Sequence, residues 1–515
     1  MKTNPSSTGL TIANKGTENP VLLYNGKPFL RTGAVGEVAL FAFPWDSDEP
    51  VLRDMTHQQW ADWQKAHGMG YARAYPESGF SLSCKRGPDA DKLYPWKLDH
   101  WAYETNPAGE PVVDLTTLDE QYWREFENTL AQCRNNDILV IVQLYQACYF
   151  GIHTNSDPTD RKRSWWQMSY FHPANNVNRW PIGERWERGE RSAECGNDFM
   201  RRCVEDYHAN KNTWWKMHRD YVRKILDCIG QKGNVLIDLG NEMGYRQEGF
   251  HCYEWVERTI DLVEEWRAET GTGILIGMDE HFWFRVPEKA DWVRAHPRLD
   301  LLIAHGAADV LHEQDWNFQQ NFTPRDSGRL RVQCRKPCVT LHHHDGAGTW
   351  PRKDAAFQRM YHWLGMMQKV QALGSYGYGP FIEEDAEKAV FEEDTRFLRQ
   401  VFDSLHDYAA LTMPDHTGAG IQAAPGRTEY QYLLSSDEEA LFYTHTGTFD
   451  ESVAEGARLV LRELELADGE AVARIMRPAD RQIATNTLRV EGGSLEIRLP
   501  AFREDIAVHL TSSIS

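Results

Sequence analysis

Ile138-Leu139-Val140-Ile141-Val142-Gln143-Leu144 is a continuous apolar run broken only by one amide near its end. A run this short and uniformly apolar suits a strand covered on both faces, as in a parallel sheet; a half-exposed strand would alternate. Similar runs recur on either side of it. Upstream, strands are expected near Pro28–Ala34 and Tyr71–Tyr75. Downstream, they are expected at Val235–Leu239, Ile274–Met278, Leu301–Ala304, Cys338–His342 and near Ser375–Tyr378. Amphipathic stretches separate them, with helices expected at Trp214–Cys228, Tyr253–Glu269, Ala355–Leu373 and Thr395–Ala410. Thr56 with Gln59, and Thr117 with Glu120, have capping-box spacing, and the second pair opens a helix carrying Tyr122, Phe126, Leu130 and Cys133 on one face. Eight strand–helix units over about 380 residues suit a (β/α)₈ TIM barrel with long loops. A doubly wound sheet is the alternative; no Gly-rich nucleotide turn follows the first strand, which counts against it.

Beyond the last helix the pattern changes. Short strand-like runs appear at Glu429–Leu434, Ala440–His445, Ala457–Arg462, Arg474–Arg477, Thr487–Glu491, Leu495–Leu499 and Asp505–Leu510. Asp468-Gly469 and Gly492-Gly493 supply turns, and the whole reads as an antiparallel β-sandwich. All 19 tryptophans lie at or before Trp363, a break in composition that agrees with a change of module. The expected organisation is a catalytic barrel over residues 1–412 and a sandwich over 413–515.

Hydrophobic residues at 41% and charged residues at 26% describe a globular chain. A net charge of -20 argues against nucleic acid, which needs a basic face. The first twenty residues lack an apolar signal core, no stretch reaches membrane-spanning length, and nine cysteines without C-x-x-C spacing suit reduced thiols. A cytoplasmic protein is expected, with no membrane partner. A homo-oligomer is compatible with the sequence.

Catalytic groups of a barrel sit at the C-terminal ends of its strands. The residues after each expected strand are Glu37; Arg73 and Glu77; Gln143 and Gln146; Asp238 to Glu242; Asp279-Glu280-His281; His305; His342-His343-His344-Asp345; and Tyr376 and Tyr378. Carboxylates, imidazoles and amides dominate this ring. Hydrolysis of a glycoside needs one carboxylic acid to protonate the leaving oxygen and a second carboxylate as nucleophile or base. The plain alternative for any one of these residues is a helix cap.

The segment VLIDLGNEMG, ending at Asn241-Glu242, resembles the fourth strand of the clan A glycoside hydrolases, which include family 5. NGKPFLRTGA (Asn25–Ala34) and Arg73 are similar to the start and second strand of those barrels. RMYHWLGMMQKVQALGSYGYG and the ending PAFREDIAVHL, with its Pro425–Arg427 turn, resemble family 5-like or family 140-like hydrolases. The resemblance implies a glycosidase with no cofactor, Glu242 as acid/base, Asn241 on the sugar, and Arg73, His305 and Tyr376 as sugar contacts. It also implies a strand-7 glutamate nucleophile. Here Lys336-Pro337 leads instead to His342, so the second carboxylate is sought in Asp345, Glu280 or Glu37, with His342 or His344 orienting it.

Two long loops, 81–115 and Gly151–Asn212, carry many aromatics. Trp165, Trp166 and Trp283 are candidate stacking platforms for a carbohydrate substrate; Tyr170, Trp180 and Trp186 either join them or form a packed cluster. The arginines Arg161, Arg163, Arg179, Arg185, Arg188 and Arg191 either meet an acidic glycan or pair with Glu184, Glu187, Glu190 and Glu194 along a helix. Two competing functions remain. His342 and His344 could form an H-x-H pair of a metal-dependent barrel hydrolase, completed by His305 and Asp345. A barrel that has lost its second carboxylate could bind sugar without cleaving it.

Overall fold

The computed structural model describes residues 9–34, 57–76, 93–101, 111–145, 169–180, 194–240, 251–279, 287–304, 334–340, 355–375, 385–413, 431–445, 453–462 and 464–513. The strands are β1 (Leu10–Ala13), β2 (Val21–Tyr24), β3 (Lys27–Pro28), β4 (Arg31–Ala34), β5 (Tyr71–Ala74), β6 (Trp96–Trp101), β7 (Pro111–Leu118), β8 (Leu139–Gln143), β9 (Val235–Asp238), β10 (Leu275–Asp279), β11 (Leu301–Ala304), β12 (Cys338–Thr340) and β13 (Ala372–Ser375). The antiparallel module adds β14 (Gln431–Ser435), β15 (Glu439–His445), β16 (Val453–Ala454), β17 (Arg458–Leu461), β18 (Gly469–Arg477), β19 (Gln482–Val490), β20 (Leu495–Arg498), β21 (Phe502–Arg503) and β22 (Asp505–Ser512). The helices are α1 (His57–Ala66), α2 (Glu120–Asn135), α3 (Glu194–Ala209), α4 (Trp214–Ile229), α5 (His251–Thr270), α6 (Pro287–Ala295), α7 (Ala355–Met367) and α8 (Asp385–Asp403).

Eight strands form one sheet in the order β4-β13-β12-β11-β10-β9-β8-β5. From β5 onward each strand neighbours the next of the series, and the first, β4, neighbours the last, β13. That cyclic order is the order of a (β/α)₈ barrel; a doubly wound sheet reverses at a switch point. The continuous apolar runs are buried as expected: every residue of β8 and of β9 is buried. Gly277 on β10 lets β11 approach, since a Cβ there would lie 2.7 Å from the Ile303 side chain.

The contacts divide the chain into two compact units, one of residues 1–10, 34–65 and 70–306, the other of residues 11–33, 66–69 and 307–515. In the first, β5, β8, β9, β10 and β11 pair in parallel. Helix α2 buries Tyr122, Trp123, Phe126, Leu130 and Cys133. Its cap is Asp119 rather than Thr117: the Asp119 carboxylate accepts from the Gln121 and Tyr122 amides at 2.8 and 3.1 Å. Thr117 belongs to β7 and its hydroxyl donates to Asp114 at 2.7 Å. The expected loops contain structure of their own, the β6–β7 hairpin and α3. Tyr170 is core: it meets Tyr94 and Trp96 edge-on, and Trp96 stacks on Tyr221 at 5.3 Å. Arg179 is exposed, adopts φ 48° and lies outside any helix. Of the other residues of that arginine–glutamate reading, Glu194 opens α3 and the rest lie outside the described residues.

In the second unit, α7 stops at Met367, not Leu373, and the eighth barrel strand is Ala372–Ser375, three residues before its expected start. Lys369 makes the break. It takes φ 58°, and its buried ammonium donates to Asn19 Oδ1 at 2.8 Å and to the Leu411 carbonyl. Gln371 then ties the N-terminal hairpin to this strand, accepting from Leu22 N at 2.5 Å and donating to the Leu22 and Phe29 carbonyls at 2.7 and 3.0 Å. The final helix begins ten residues earlier than expected, at Asp385, and ends at Asp403.

The antiparallel module is a five-stranded sheet, β14-β15-β22-β18-β19, with the pairs β17–β20 and β16–β21. Alternation sorts its residues. Ala440, Phe442, Ala471, Ala473, Ile475, Val508 and Leu510 pack with Leu459, Leu461, Leu495 and Ile497 in one core, the sandwich interior. Leu441, Tyr443, Met476 and Ala507 join a different core with Trp363, Leu364, Phe397 and Val401 of α7 and α8. With both faces covered, β15 is buried along its whole length. No helix among the described residues is long and apolar enough to cross a membrane.

Candidate active site

The chemistry begins where the apolar runs end. β5, β8 and β9 are neighbours, and each carries a polar residue at or next to its C-terminus: Arg73, Gln143 and Asp238. The register sets Gln143 directly across from Asp238, while Arg73 pairs with Ile141 two residues earlier. Alternating side chains keep Arg73, Ile141's second neighbour Gln143 and Asp238 on one face. All three are buried, at 3%, 0% and 0% exposure.

They are joined in a chain. Arg73 Nε donates to Gln143 Oε1, and Gln143 Nε2 donates to Asp238 Oδ2. The second carboxylate oxygen, Oδ1, accepts from the Gly240 amide at 3.2 Å. The polarity of this chain is forced. Arginine is an obligate donor, so Gln143 must turn its oxygen to it, and its amide nitrogen then requires an acceptor at Asp238. A buried cation and a buried carboxylate are thus matched through a neutral amide, which avoids leaving either charge alone in low dielectric. The Arg73 guanidinium carbon also lies 4.4 Å from the centre of the Tyr75 ring.

Past β9 the backbone stays anchored: Leu239 N donates to the Gly277 carbonyl at 3.2 Å and Leu144 N to the Asp238 carbonyl at 2.9 Å. The chain therefore leaves β9 through Gly240, a residue held by the Asp238 carboxylate, immediately before Asn241-Glu242 in sequence.

Of the site residues singled out in the sequence, Arg73 is described, and it stands at a strand end as expected. Glu37, Trp165, Trp166, Asn241, Glu242, Glu280, Trp283, His305, His342, His344, Asp345 and Tyr376 lie outside the described residues. Gln143 and Asp238 were legible only as strand-end residues; their linkage was not. A polar residue terminating an otherwise apolar, doubly buried run was the available signal. Another buried ionisable group, His218, serves packing. It sits between Tyr145 OH and Thr259 Oγ1, each at 3.0 Å, and burial pushes its pKa down to about 3. Among the described residues no three His, Cys, Asp or Glu side chains gather as a metal site.

The fold is shared with solved glycoside hydrolases. One, titled simply glycoside hydrolase, is 11% identical, with 99% of this chain and 98% of that chain covered and a TM-score of 0.56. A family 5 glycoside hydrolase from Bacteroides vulgatus is also 11% identical, with 98% and 94% covered and a TM-score of 0.55. The match thus runs through barrel and antiparallel module alike. No protein-family model matches the chain, and no curated protein matches it in sequence.

Proposed function

We propose that this chain hydrolyses O-glycosidic bonds of an oligo- or polysaccharide, with Glu242 as general acid. The observation that supports the proposal is the buried Arg73–Gln143–Asp238 chain, whose carboxylate holds the amide of Gly240, the residue that precedes Asn241-Glu242 in the sequence. The fold shared with solved glycoside hydrolases supports it. Strand ends are where a barrel gathers its reacting groups, and an acid/base must be held to a fraction of an ångström to transfer a proton efficiently.

In this reading Glu242 delivers its proton to the leaving glycosidic oxygen as the anomeric C–O bond breaks. Asn241 holds the sugar 2-hydroxyl. Glu37, Arg73, His305 and Tyr376 contact the sugar, and Trp165, Trp166 and Trp283 offer their faces to it. Because His342 stands where clan A barrels carry a nucleophile, the second carboxylate is assigned to Asp345, with Glu280 as the reserve. Asp345 takes a proton from water while the water oxygen bonds to the anomeric carbon, and His342 or His344 orients it. Attack by water on the opposite face inverts the configuration.

The test is Glu242→Gln. An amide cannot supply the proton, so turnover of a natural glycoside falls on the order of 10²–10⁴-fold with the fold intact. Near-normal turnover in that variant would falsify the proposal. Proton NMR of the first-formed product reads the stereochemistry independently. A retained anomer removes Asp345 from the base role and leaves Glu242 in place.

A further inference from the structure

A groove on the helical shell of the first unit has the makings of a second binding site. It holds about 300 Å³ and opens at the end of β7, between the N-terminal turns of α2 and α4. Trp96, Leu115 and Met217, all buried, form its floor. Trp180 forms a wall, part-exposed, its ring braced edge-on against Trp214 at 5.0 Å. The rim carries hydrogen-bonding groups: Thr116 and Asn212, both exposed, and Asp220.

The charges of the rim select against ionic ligands. Lys216 is paired with Asp220, which also accepts from Arg219 at 3.1 Å, and Glu120 is paired with Lys224 at 2.7 Å. Among the described lining residues Lys216 is the one cation, and its pairing with Asp220 leaves it poorly placed to hold a phosphate or sulfate. Two carboxylates and no imidazole or thiol among the lining residues make a poor transition-metal site. What remains is an apolar floor, an aromatic wall and a rim of hydroxyl, amide and carboxylate groups. That combination suits a neutral ligand with one apolar face and several hydroxyl edges. A volume of about 300 Å³ is the lower end of small-ligand pockets and admits one ring rather than a chain.

We infer that this groove binds a single neutral pyranose, with Trp180 against the ring face and Asp220 accepting from adjacent hydroxyls. The assignment comes from the groove alone and does not depend on Glu242.

The experiment uses the full chain labelled with 5-fluorotryptophan. One of the 19 tryptophan fluorine resonances is assigned to Trp180 by its loss in Trp180→Phe. Methyl glucopyranoside, mannopyranoside, galactopyranoside and xylopyranoside are then titrated in turn. At least one is expected to shift the Trp180 resonance saturably. Asp220→Ala removes only a part-exposed ion-pair partner and is expected to fold; it should weaken that binding about tenfold, the value of one hydrogen bond to a charged group. Silence of the Trp180 resonance to all four sugars overturns the inference, as does an Asp220→Ala variant that binds as tightly as the parent. Glycoside turnover measured on the same preparation reports on Glu242 and not on the groove, so the two readings fail separately.

Discussion

Asp238 is the residue on which the candidate site turns, because each of its carboxylate oxygens has a separate task. Oδ2 terminates the chain from Arg73 through Gln143, and Oδ1 holds the Gly240 amide. Asp238→Asn preserves shape and one acceptor but sets an N–H against either the Gly240 amide or the Gln143 amide nitrogen. Turning Gln143 over relieves the second clash only by pointing its nitrogen at the Arg73 donor. One buried donor is therefore always left facing another, at a cost of about 1–3 kcal/mol. Gly240 then loses part of its restraint. If Glu242 is the acid, kcat falls on the order of 10- to 100-fold with KM little changed, because misplacement of a reacting group costs rate more than binding. Steady-state kinetics beside thermal unfolding separate the two effects. A variant that is less stable but fully active would reduce Asp238 to a packing residue. Arg73 was legible in the sequence as a polar residue at a strand end. Its partnership with Gln143 and Asp238 was not, since those pairs are 70 and 95 residues apart and only the register of neighbouring parallel strands joins them.

At the scale of elements, strands buried on both faces were easy to read and turns without glycine were not. Ile138–Leu144 and Val235–Leu239 spell out double burial in their apolar runs, and β8 and β9 fall within them. The eighth strand was displaced because Val370 and Leu373 continue the helical spacing of Trp363 and Met366, and the left-handed residue that stops the helix is a lysine, Lys369. The β6–β7 hairpin was missed because its alternation is broken by register shifts between Trp96 and Lys97 and between Leu98 and His100. The start of α2 was displaced by two residues for a similar local reason: Asp119 satisfies its first amides, and the Thr117 hydroxyl is spent on Asp114. Chemical denaturation can tell these caps apart. Asp119→Ala is expected to cost about 1 kcal/mol, the usual value of an N-cap. Thr117→Ala, at an exposed strand position, is expected to cost less; the reverse order would restore the threonine as cap.

Within the second unit the antiparallel module and the last barrel helices share both a hydrophobic core and an ionic one. Arg359 of α7 donates to Asp394 of α8 at 3.1 Å and to Asp505 of β22 at 3.1 Å, and it also reaches Glu504. Arg481 holds the other Asp394 oxygen at 2.7 Å. Even so, burial outweighs the arginines and pushes the Asp394 carboxyl from 3.8 up to about 6. A carboxyl with a raised folded pKa favours the folded chain when protonated. Its contribution is complete below about pH 4 and is lost as pH rises through about 6, on the order of 3 kcal/mol in all. Asp394→Asn, neutral at every pH, should therefore gain stability relative to the parent between pH 4 and pH 7 in urea titrations. A difference that stays flat across that window would place the proton elsewhere in the cluster. The same contacts decide what happens when the module is removed by ending the chain near Pro414. Trp363, Leu364, Phe397 and Val401 lose the cover of Leu441, Tyr443, Met476 and Ala507, leaving a contiguous apolar surface on α7 and α8. Arg359 keeps Asp394 but loses Asp505 and Glu504, and breaking a buried ion pair costs about 3–5 kcal/mol. That loss is a large part of the whole stability of a typical domain, about 5–15 kcal/mol. The truncated chain is expected to be insoluble or to unfold far below the intact protein, as read by sedimentation and thermal scans. A soluble truncation with an unchanged unfolding profile would show that the barrel helices do not need the module, and that the shared core contributes little to holding the barrel together.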